Sequence, residues 1–498
     1  MRSFITALAG FLSLAAGARP GAAAAYLVQN GKPQAEIVLG ENAPPFYRLL
    51  AEELNRYISA ISGASLEIRS AQQSGLAKAG LSILIGGPEV NPLVREAVSK
   101  KLVDFAGLKP DGFLLWQTKL GQQNSLIVGG NDEASTMYAV YDLVERLGVT
   151  FLLVKDILPE PTPNLALQPL QVRSETPFSR RGLYISSMYP NRGMMDLAEV
   201  KSMLDQMAKL KMNYLQFFWF EHEPWINFTY KGEGKLLGDA TGPETGYMAW
   251  RYHYGSYLVK DLVAGRELFR GKGKIAPAEF QDVDTPERAY QVAREFLREV
   301  IRHAKTRKIM VWLCMDPATL PGNLARYARR ASNLQVPFQP ILGTYMCPAD
   351  PVLHEINENR LRSLVETYPE AEGYFLYIPE EYSHCPYEQD QAFFVGQRGK
   401  FEGLLKYWAP YTRYERNLLI VQDSIIGSLH IIQKVLEARD RFAPKAKIGI
   451  GGLGHGFALP FADRMFPTWN RAPSGLRAVC LWSTLAAWAS GRGLWCPE

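Results

Sequence analysis

The chain has 498 residues, 47% hydrophobic and 21% charged, which excludes a disordered or fibrous protein. At ~100–200 residues per domain, this length allows two to four domains, or one large barrel with an accessory domain. Lys and Arg number 55 against 50 Asp and Glu; the net +5 falls to +3 without Arg2 and Arg19, too weak and dispersed for a nucleic-acid partner.

Residues 1–25 read as a secretory signal peptide: Arg2 leads, Phe4–Ala16 is apolar, and Ala22–Ala25 offer small residues before Tyr26. The apolar stretch falls short of the ~20 residues that span a bilayer. An uncleaved anchor is the alternative, because Arg19-Pro20 interrupts the pattern. The mature protein is expected to be secreted or periplasmic, with no further membrane span. Five cysteines (314, 347, 385, 480 and 496), an odd count without CxxC spacing, argue against a disulfide framework or a zinc site.

Residues 26–175 alternate strand and helix patterns. Apolar runs at Ile37–Leu39, Leu81–Ile85, Phe113–Trp116 and Leu126–Val128 predict strands. Phe46, Leu50, Leu54, Tyr57 and Ile61 form one helical face after Pro44-Pro45. A second helix opens at Asn131-Asp132, buries Met137, Val140, Tyr141, Val144 and Leu147, and stops at Gly148. Thr150–Val154 resumes a strand. The result is a small α/β accessory domain, closed by a linker rich in proline at 159, 161, 163 and 169.

A longer alternation fills residues 176–466. Strands are expected at Gly182–Ser186, Tyr214–Phe220, Ile309–Cys314, Gly373–Ile378, Leu418–Val421 and Ile448–Leu453, and helices at Val200–Leu210, from Thr285-Pro286, at Leu361–Tyr368 and near Ile426–Ala438. Near-continuous apolar strands between helices are the pattern of a parallel sheet covered on both faces. The fold class expected is α/β: a small N-terminal domain, then a (β/α)8-type barrel, with a doubly wound open sheet as the alternative. Residues 467–498 hold four of the ten Trp, two Cys, and no Asp or Lys. They read equally as a truncated or frameshifted end and as a last strand and helix closing the barrel.

Barrel chemistry gathers at the C-terminal ends of strands. The groups after the six expected strands are Arg192; Trp219, Glu221 and His222; Asp316; Glu380, Glu381 and His384; Gln422 and Asp423; and His455. Glu380-Glu381 is the sharpest of these. Two adjacent carboxylates at a low-dielectric mouth repel, which leaves one protonated near neutral pH. An acid beside a carboxylate suits glycosidic cleavage: one protonates the leaving oxygen, the other stabilises positive charge or positions the nucleophile. Arg192 is the candidate for a substrate carboxylate, and the remaining groups for sugar hydroxyls. A solvated Glu pair on a loop is the bland alternative. The long insertion from Glu221 to Asp284 carries Trp225, Phe228, Tyr230, Tyr247, Trp250, Tyr252, Tyr254 and Tyr257, most of them expected as a satellite core beneath the loop. Glu221-His222-Glu223 lacks a second cluster of matching spacing, so no metal is assigned. Gly449, Gly451 and Gly454 match GxGxxG inside a strand pattern, which suggests close backbone approach rather than a nucleotide.

Leu126–Asp132 followed by Tyr138–Gly148 resembles the α/β domain that precedes the barrel in α-glucuronidases and β-N-acetylhexosaminidases, glycoside hydrolase families 67 and 20. A glycine usually opens the helix there, where this chain has Ala134-Ser135-Thr136. Arg181–Tyr184 resembles the start of their first barrel strand, and Met346-Cys347-Pro348 the Cys-Pro before the fourth strand in hexosaminidases. The resemblance implies Glu381 as general acid/base and Glu380 in place of the Asp that orients the acetamido group. The extra methylene of Glu380 shifts that carboxylate, which puts N-acetylhexosamine specificity in doubt. The function expected is an exported glycoside hydrolase acting on a carbohydrate without a cofactor. The alternatives are a non-catalytic carbohydrate-binding protein on the same scaffold and a metal-dependent hydrolase.

Overall fold

A computed structural model describes residues 25–73, 80–186, 195–219, 223–237, 252–253, 256–261, 264–333, 344–377, 383–399 and 418–451. The chain divides into two compact units. The first ends at Arg181 and adds Asp205–Met212; the second holds Gly182–Leu204 and everything from Asn213 on.

The first unit is built on a six-stranded sheet: β1 (Ala35–Leu39), β2 (Glu67–Ser70), β3 (Leu81–Ile85), β4 (Phe113–Leu120), β5 (Gln123–Gly130) and β6 (Gln171–Ser174), in the order β6-β4-β5-β3-β1-β2. β2, β1, β3 and β5 are parallel, while the β4–β5 hairpin and β6 run antiparallel. Val38, Leu84, Leu114 and Ile127 pack with Val94 and Ala97 of α2 (Pro92–Ser99) in one dry cluster. Strand pleating turns Ile37, Ile83, Ile85, Leu126 and Val128 the other way. α1 (Pro45–Ser62) and α3 (Glu133–Arg146) pack on each other, and α3 also packs on β5.

Both expected helices form where their punctuation places them. Pro45 opens α1, with Leu50, Leu54, Tyr57 and Ile61 buried. α3 starts with a capping box: Ser135 N–H donates to Asp132 Oδ1 at 2.7 Å, and Asp132 N–H to Ser135 Oγ at 3.0 Å. The two bonds satisfy the N–H groups of Asp132 and Ser135 at the helix start. The strand expected over Thr150–Val154 is only Thr150–Phe151, paired with Asp156–Ile157. α2, β2 and β6 were not anticipated, being short or without clear periodicity.

The second unit carries five parallel strands: β7 (Gly182–Ser186), β8 (Tyr214–Phe218), β9 (Met310–Met315), β10 (Gly373–Tyr377) and β11 (Ile448–Gly451). Their spatial order equals their chain order, β7-β8-β9-β10-β11. Every crossover therefore steps the same way, unlike a doubly wound sheet, which reverses at a switch point. The described helices are α4 (Leu197–Lys209), which the second unit holds as far as Leu204, α5 (Pro286–Thr306), α6 (Pro351–Thr367), α7 (Glu388–Arg398) and α8 (Leu418–Phe442). Thr285 caps α5, accepting from Arg288 N–H. Among the described residues, no helix is long and apolar enough to cross a membrane.

One expected strand is a helix. Leu418–Val421 opens the 25-residue α8. A four-residue apolar run fits a buried strand and a buried helix turn equally well, and only its continuation through Ile425, Leu429 and Ile432 decides.

Candidate functional site

One face of the β7–β11 sheet gathers large side chains. Tyr214, Phe218, Trp312, Cys314, Phe375 and Tyr377 form a continuous cluster with Tyr345, and Tyr184 packs at its edge. Tyr184 stacks on Phe218 with ring centroids 5.9 Å apart. Phe218 also meets Tyr377 at 4.9 Å, although β9 lies between their strands. Rings two strands apart touch when the sheet curves toward them. Gly449 leaves room on this face, because a Cβ there would come within 3.0 Å of Phe375 and Trp312. The neighbours at Gly449 are aromatic side chains and not the main chain expected at a strand end. Gln216 bridges the layer, accepting from Tyr214 Oη at 3.2 Å and reaching Cys314 Sγ at 3.7 Å. Burial, and secondarily the charge of Asp316, raises the Cys314 thiol well above its ordinary pKa, so it packs as a small apolar group and not as a nucleophile.

Asp316 follows β9 as expected, yet it is buried. Its Oδ1 accepts from Ala318 N–H at 2.8 Å. Arg360 of α6, also buried, donates to the carbonyls of Asp316 and Thr319, and Asn357 donates to the Pro317 carbonyl at 2.7 Å. The loop after β9 is therefore fastened to α6 from below. Arg360 was not anticipated: it stands inside a helix, and nothing in its sequence neighbourhood distinguishes it from a surface arginine.

Trp219 does not join the curved face. It packs on Phe217, which meets Trp225, and Trp225 in turn packs on Phe280 and Phe296. Position 219 has the parity of Phe217 and not that of Phe218, so pleating sends it to the opposite layer. The placement of Trp219 with the strand-end groups of the candidate site is corrected accordingly. Trp225, Phe228 and Tyr230 are buried, as expected of a satellite core, and Tyr230 donates to Glu355 at 2.6 Å.

Gln422 and Asp423 stand in the first turns of α8, not at a strand end. Arg398 of α7 forms a bidentate pair with Asp423 at 2.9 and 2.6 Å, and Gln422 donates to the Arg398 carbonyl at 3.1 Å. Their polar atoms bind the two helices together, which corrects their placement at the end of a strand. His384 pairs by backbone with Ser332. Arg192, Glu221, His222, Glu380, Glu381 and His455 lie outside the described residues.

The Cys347–Cys385 disulfide corrects the reading of the cysteines. An odd count does not forbid one bridge, and the signal available was the expected signal peptide together with two Cys-Pro dipeptides 38 residues apart. Around it, Arg329 forms a bidentate pair with Asp390 at 3.0 and 2.7 Å, and Arg329 N–H donates to Asp350 Oδ2 at 2.6 Å. Among the described residues, Cys347, Cys385 and Asp390 alone gather three metal-type ligand atoms within 4.8 Å. The sulfurs are bonded to each other and Arg329 occupies the carboxylate, so the cluster serves as a crosslink.

Residues 24–143 match the glycosyl hydrolase family 67 N-terminus. The stretch covers the sheet from β1 to β5 and nearly all of α3, and the motif residues from Leu126 to Leu143 lie within it. A comparison with curated proteins finds no match. Among solved structures, a family 20 β-N-acetylhexosaminidase from Streptomyces coelicolor aligns at TM-score 0.45 and 12% identity, over 92% of this chain and 72% of that one. A family 20 exo-β-N-acetylglucosaminidase from Vibrio harveyi aligns at 0.45 and 12%, over 89% of this chain and 57% of its own. A family 138 enzyme targeting pectin rhamnogalacturonan II aligns at 0.43 and 14%, over 89% of this chain and 37% of its own. The chain thus spans less than two thirds of the latter two.

Proposed function

We propose that the chain is an exported glycoside hydrolase whose β7–β11 sheet belongs to a (β/α)8-type barrel, with the chemistry at the C-terminal ends of its strands. The match of residues 24–143 to a glycosyl hydrolase N-terminal domain carries this reading. The one-directional order of five parallel strands and the curvature implied by the Phe218–Tyr377 contact support it. The domains proposed are residues 1–25 as signal peptide, 26–175 as accessory domain, and 176–466 as catalytic domain, with 467–498 as an atypical end. A disulfide suits an exported protein.

Glu380 and Glu381 come three and four positions after β10 ends at Tyr377. In this reading Glu381 donates a proton to the leaving glycosidic oxygen, while Glu380 stabilises the positive charge that develops on the sugar ring. Arg192, Glu221, His222, His384 and His455 remain the proposed sugar contacts. Asp316 shapes the loop that backs the site and, being buried, contributes at most one carboxylate edge.

Wild type and Glu381→Gln assayed on a panel of aryl glycosides test the proposal. Turnover by wild type and a loss on the order of 10²–10⁴ in kcat/KM in the variant are expected. Sugar binding without turnover in both proteins would overturn it in favour of a carbohydrate-binding protein.

A further inference from the structure

The two halves of α4 have different partners. In the first half, Leu197 N–H donates to Glu279 at 3.1 Å and Lys201 donates to Glu299 of α5 at 3.0 Å, all residues of the second unit. The second half, with the turn that ends it, belongs to the first unit as Asp205–Met212.

Within the first unit this segment meets a set of acidic groups. Asp156 stands in the hairpin formed by Thr150–Phe151 and Asp156–Ile157. Its carboxylate accepts from Tyr57 Oη of α1 at 2.6 Å, from Gln206 Nε2 at 3.0 Å, and from Lys209 Nζ at 3.1 and 2.9 Å. An exposed ion pair would hold little, but the Lys209 and Asp156 side chains are only 12% and 18% exposed, so either charge left alone is costly. Burial raises the Asp156 pKa, yet the hydrogen bonds from Tyr57, Lys209 and Gln206 and the charge of Lys209 outweigh it and hold the carboxyl below its ordinary value. Beyond the helix, Lys211 N–H donates to the Ala208 carbonyl at 3.0 Å and Met212 N–H to the Met207 carbonyl at 2.8 Å. This closure places Lys211 at φ +61°, a position that glycine usually fills. The lysine side chain pairs with Glu145 of α3 and lies 3.7 Å from Asp142. Its carbonyl accepts from Arg181 Nε at 2.8 Å, and Arg181 also donates to Asp111 at 3.1 Å.

We infer that the first unit is a discontinuous domain: Tyr57, Asp142, Glu145 and Asp156 form a docking face, and Asp205–Met212, which follow β7 and precede β8 in the chain, are the element that completes it and open together with it. The residues from 26 to 175 alone lack Lys209 and Lys211, the cations paired with Asp156 and Glu145. The face is thus occupied by a segment of this chain and is not an open surface for a ligand. This holds whatever reaction the protein catalyses.

Hydrogen exchange of the full-length protein, read at its slowest amides by mass spectrometry, tests the inference. Ile127→Val, in the dry cluster on the α2 side of the sheet, is expected to speed exchange of β3 and β5 about 2- to 10-fold. Residues 205–212 should speed by the same factor, with β9 and β10 unchanged. Lys209→Met keeps the apolar stem and removes the charge. It should raise exchange over residues 148–158 and 205–212 on the order of 10–100-fold, and Asp156→Asn added to it should recover much of that change. If Lys209→Met fails to fold, Gln206→Leu takes its place, with an expected rise of about 2- to 10-fold. Exchange at 205–212 that ignores Ile127→Val, or that rises equally with β9 and β10, overturns the proposal. So do a Lys209 or Gln206 variant without effect over 148–158 and a double variant that recovers nothing.

Discussion

In the first unit the parallel strands β1, β3 and β5 run out into Gly40, Gly86-Gly87 and Gly129-Gly130, whereas in the second β8 and β10 end at Phe218 and Tyr377, β9 ends at Met315 with Asp316 next, and only β11 ends in glycine, at Gly451. The glycines admit backbone against backbone. A Cβ on Gly40 would lie 1.7 Å from the Val90 carbonyl oxygen, one on Gly87 2.3 Å from that of Gly130, and one on Gly129 2.5 Å from the Gly86 carbonyl carbon. At these strand ends main chain packs directly on main chain. Those of the second unit carry rings and a carboxylate on a curved face. The same α/β grammar thus serves packing in one unit and a candidate site in the other, and the choice lies in the residue that follows each strand.

The contrast breaks most directly at Gly40. Gly40→Ala should destabilise the protein by more than about 4 kcal/mol, or prevent its folding, because the clash is with main chain that cannot step aside. Gly31→Ala, in open space at φ +71°, should cost only ~1–2 kcal/mol. Urea titrations that rank the two equally would remove the backbone-closure argument.

In the second unit the largest effect is expected at Arg360. Arg360→Met fills similar volume but leaves the carbonyls of Asp316 and Thr319 buried without their charged donor, a loss of about 3–5 kcal/mol by chemical denaturation. A loss below about 1 kcal/mol would show that α6 does not hold the loop after β9.

Acid sharpens the comparison further, since the second unit packs His354 of α6 against His430 of α8, ring centroids 4.9 Å apart. Burial lowers both pKa values to about 4, helped at His354 by His430 and at both rings by Lys434, and opposed at His430 by Glu437 and at His354 by Asp350 and the Pro348 backbone. Folded pKa values below the unfolded value of ~6.5 mean that the unfolded chain takes up these protons first. Stability from these rings is complete above about pH 6.5 and is lost as pH falls toward 4, by about 2–3 kcal/mol in total after solvent screening. Comparing wild type with His354→Leu/His430→Leu across that window isolates the effect, and parallel pH profiles would refute it.

The smallest effect separates structure from sugar binding. Asp423→Asn should cost about 2 kcal/mol by weakening the pair with Arg398, and leave KM for any turned-over glycoside within about twofold. A KM raised about tenfold at unchanged stability would restore Asp423 to the site.

Much of this was legible without coordinates. The apolar runs Ile37–Leu39, Leu81–Ile85 and Leu126–Val128, the Pro45 and Thr285 helix starts and Gly148 were readable because each is set by local sterics and hydrogen bonding. Five of the six expected strands in the second unit stand where apolar runs placed them. The failures share one cause. Leu418–Val421 is apolar in either structure; the parity of Trp219 depends on where β8 begins its pleat; Cys347 and Cys385 meet only through contacts 38 residues apart.

Composition, punctuation and periodicity determined, by themselves, that this is a two-part α/β chain with strands and helices in alternation, because backbone preferences and burial act within a few residues. Tertiary structure alone decided that Gln422 and Asp423 are spent on holding helices together and that Arg360 and a disulfide brace the loops, because distances between segments remote in sequence are set by packing of the whole unit.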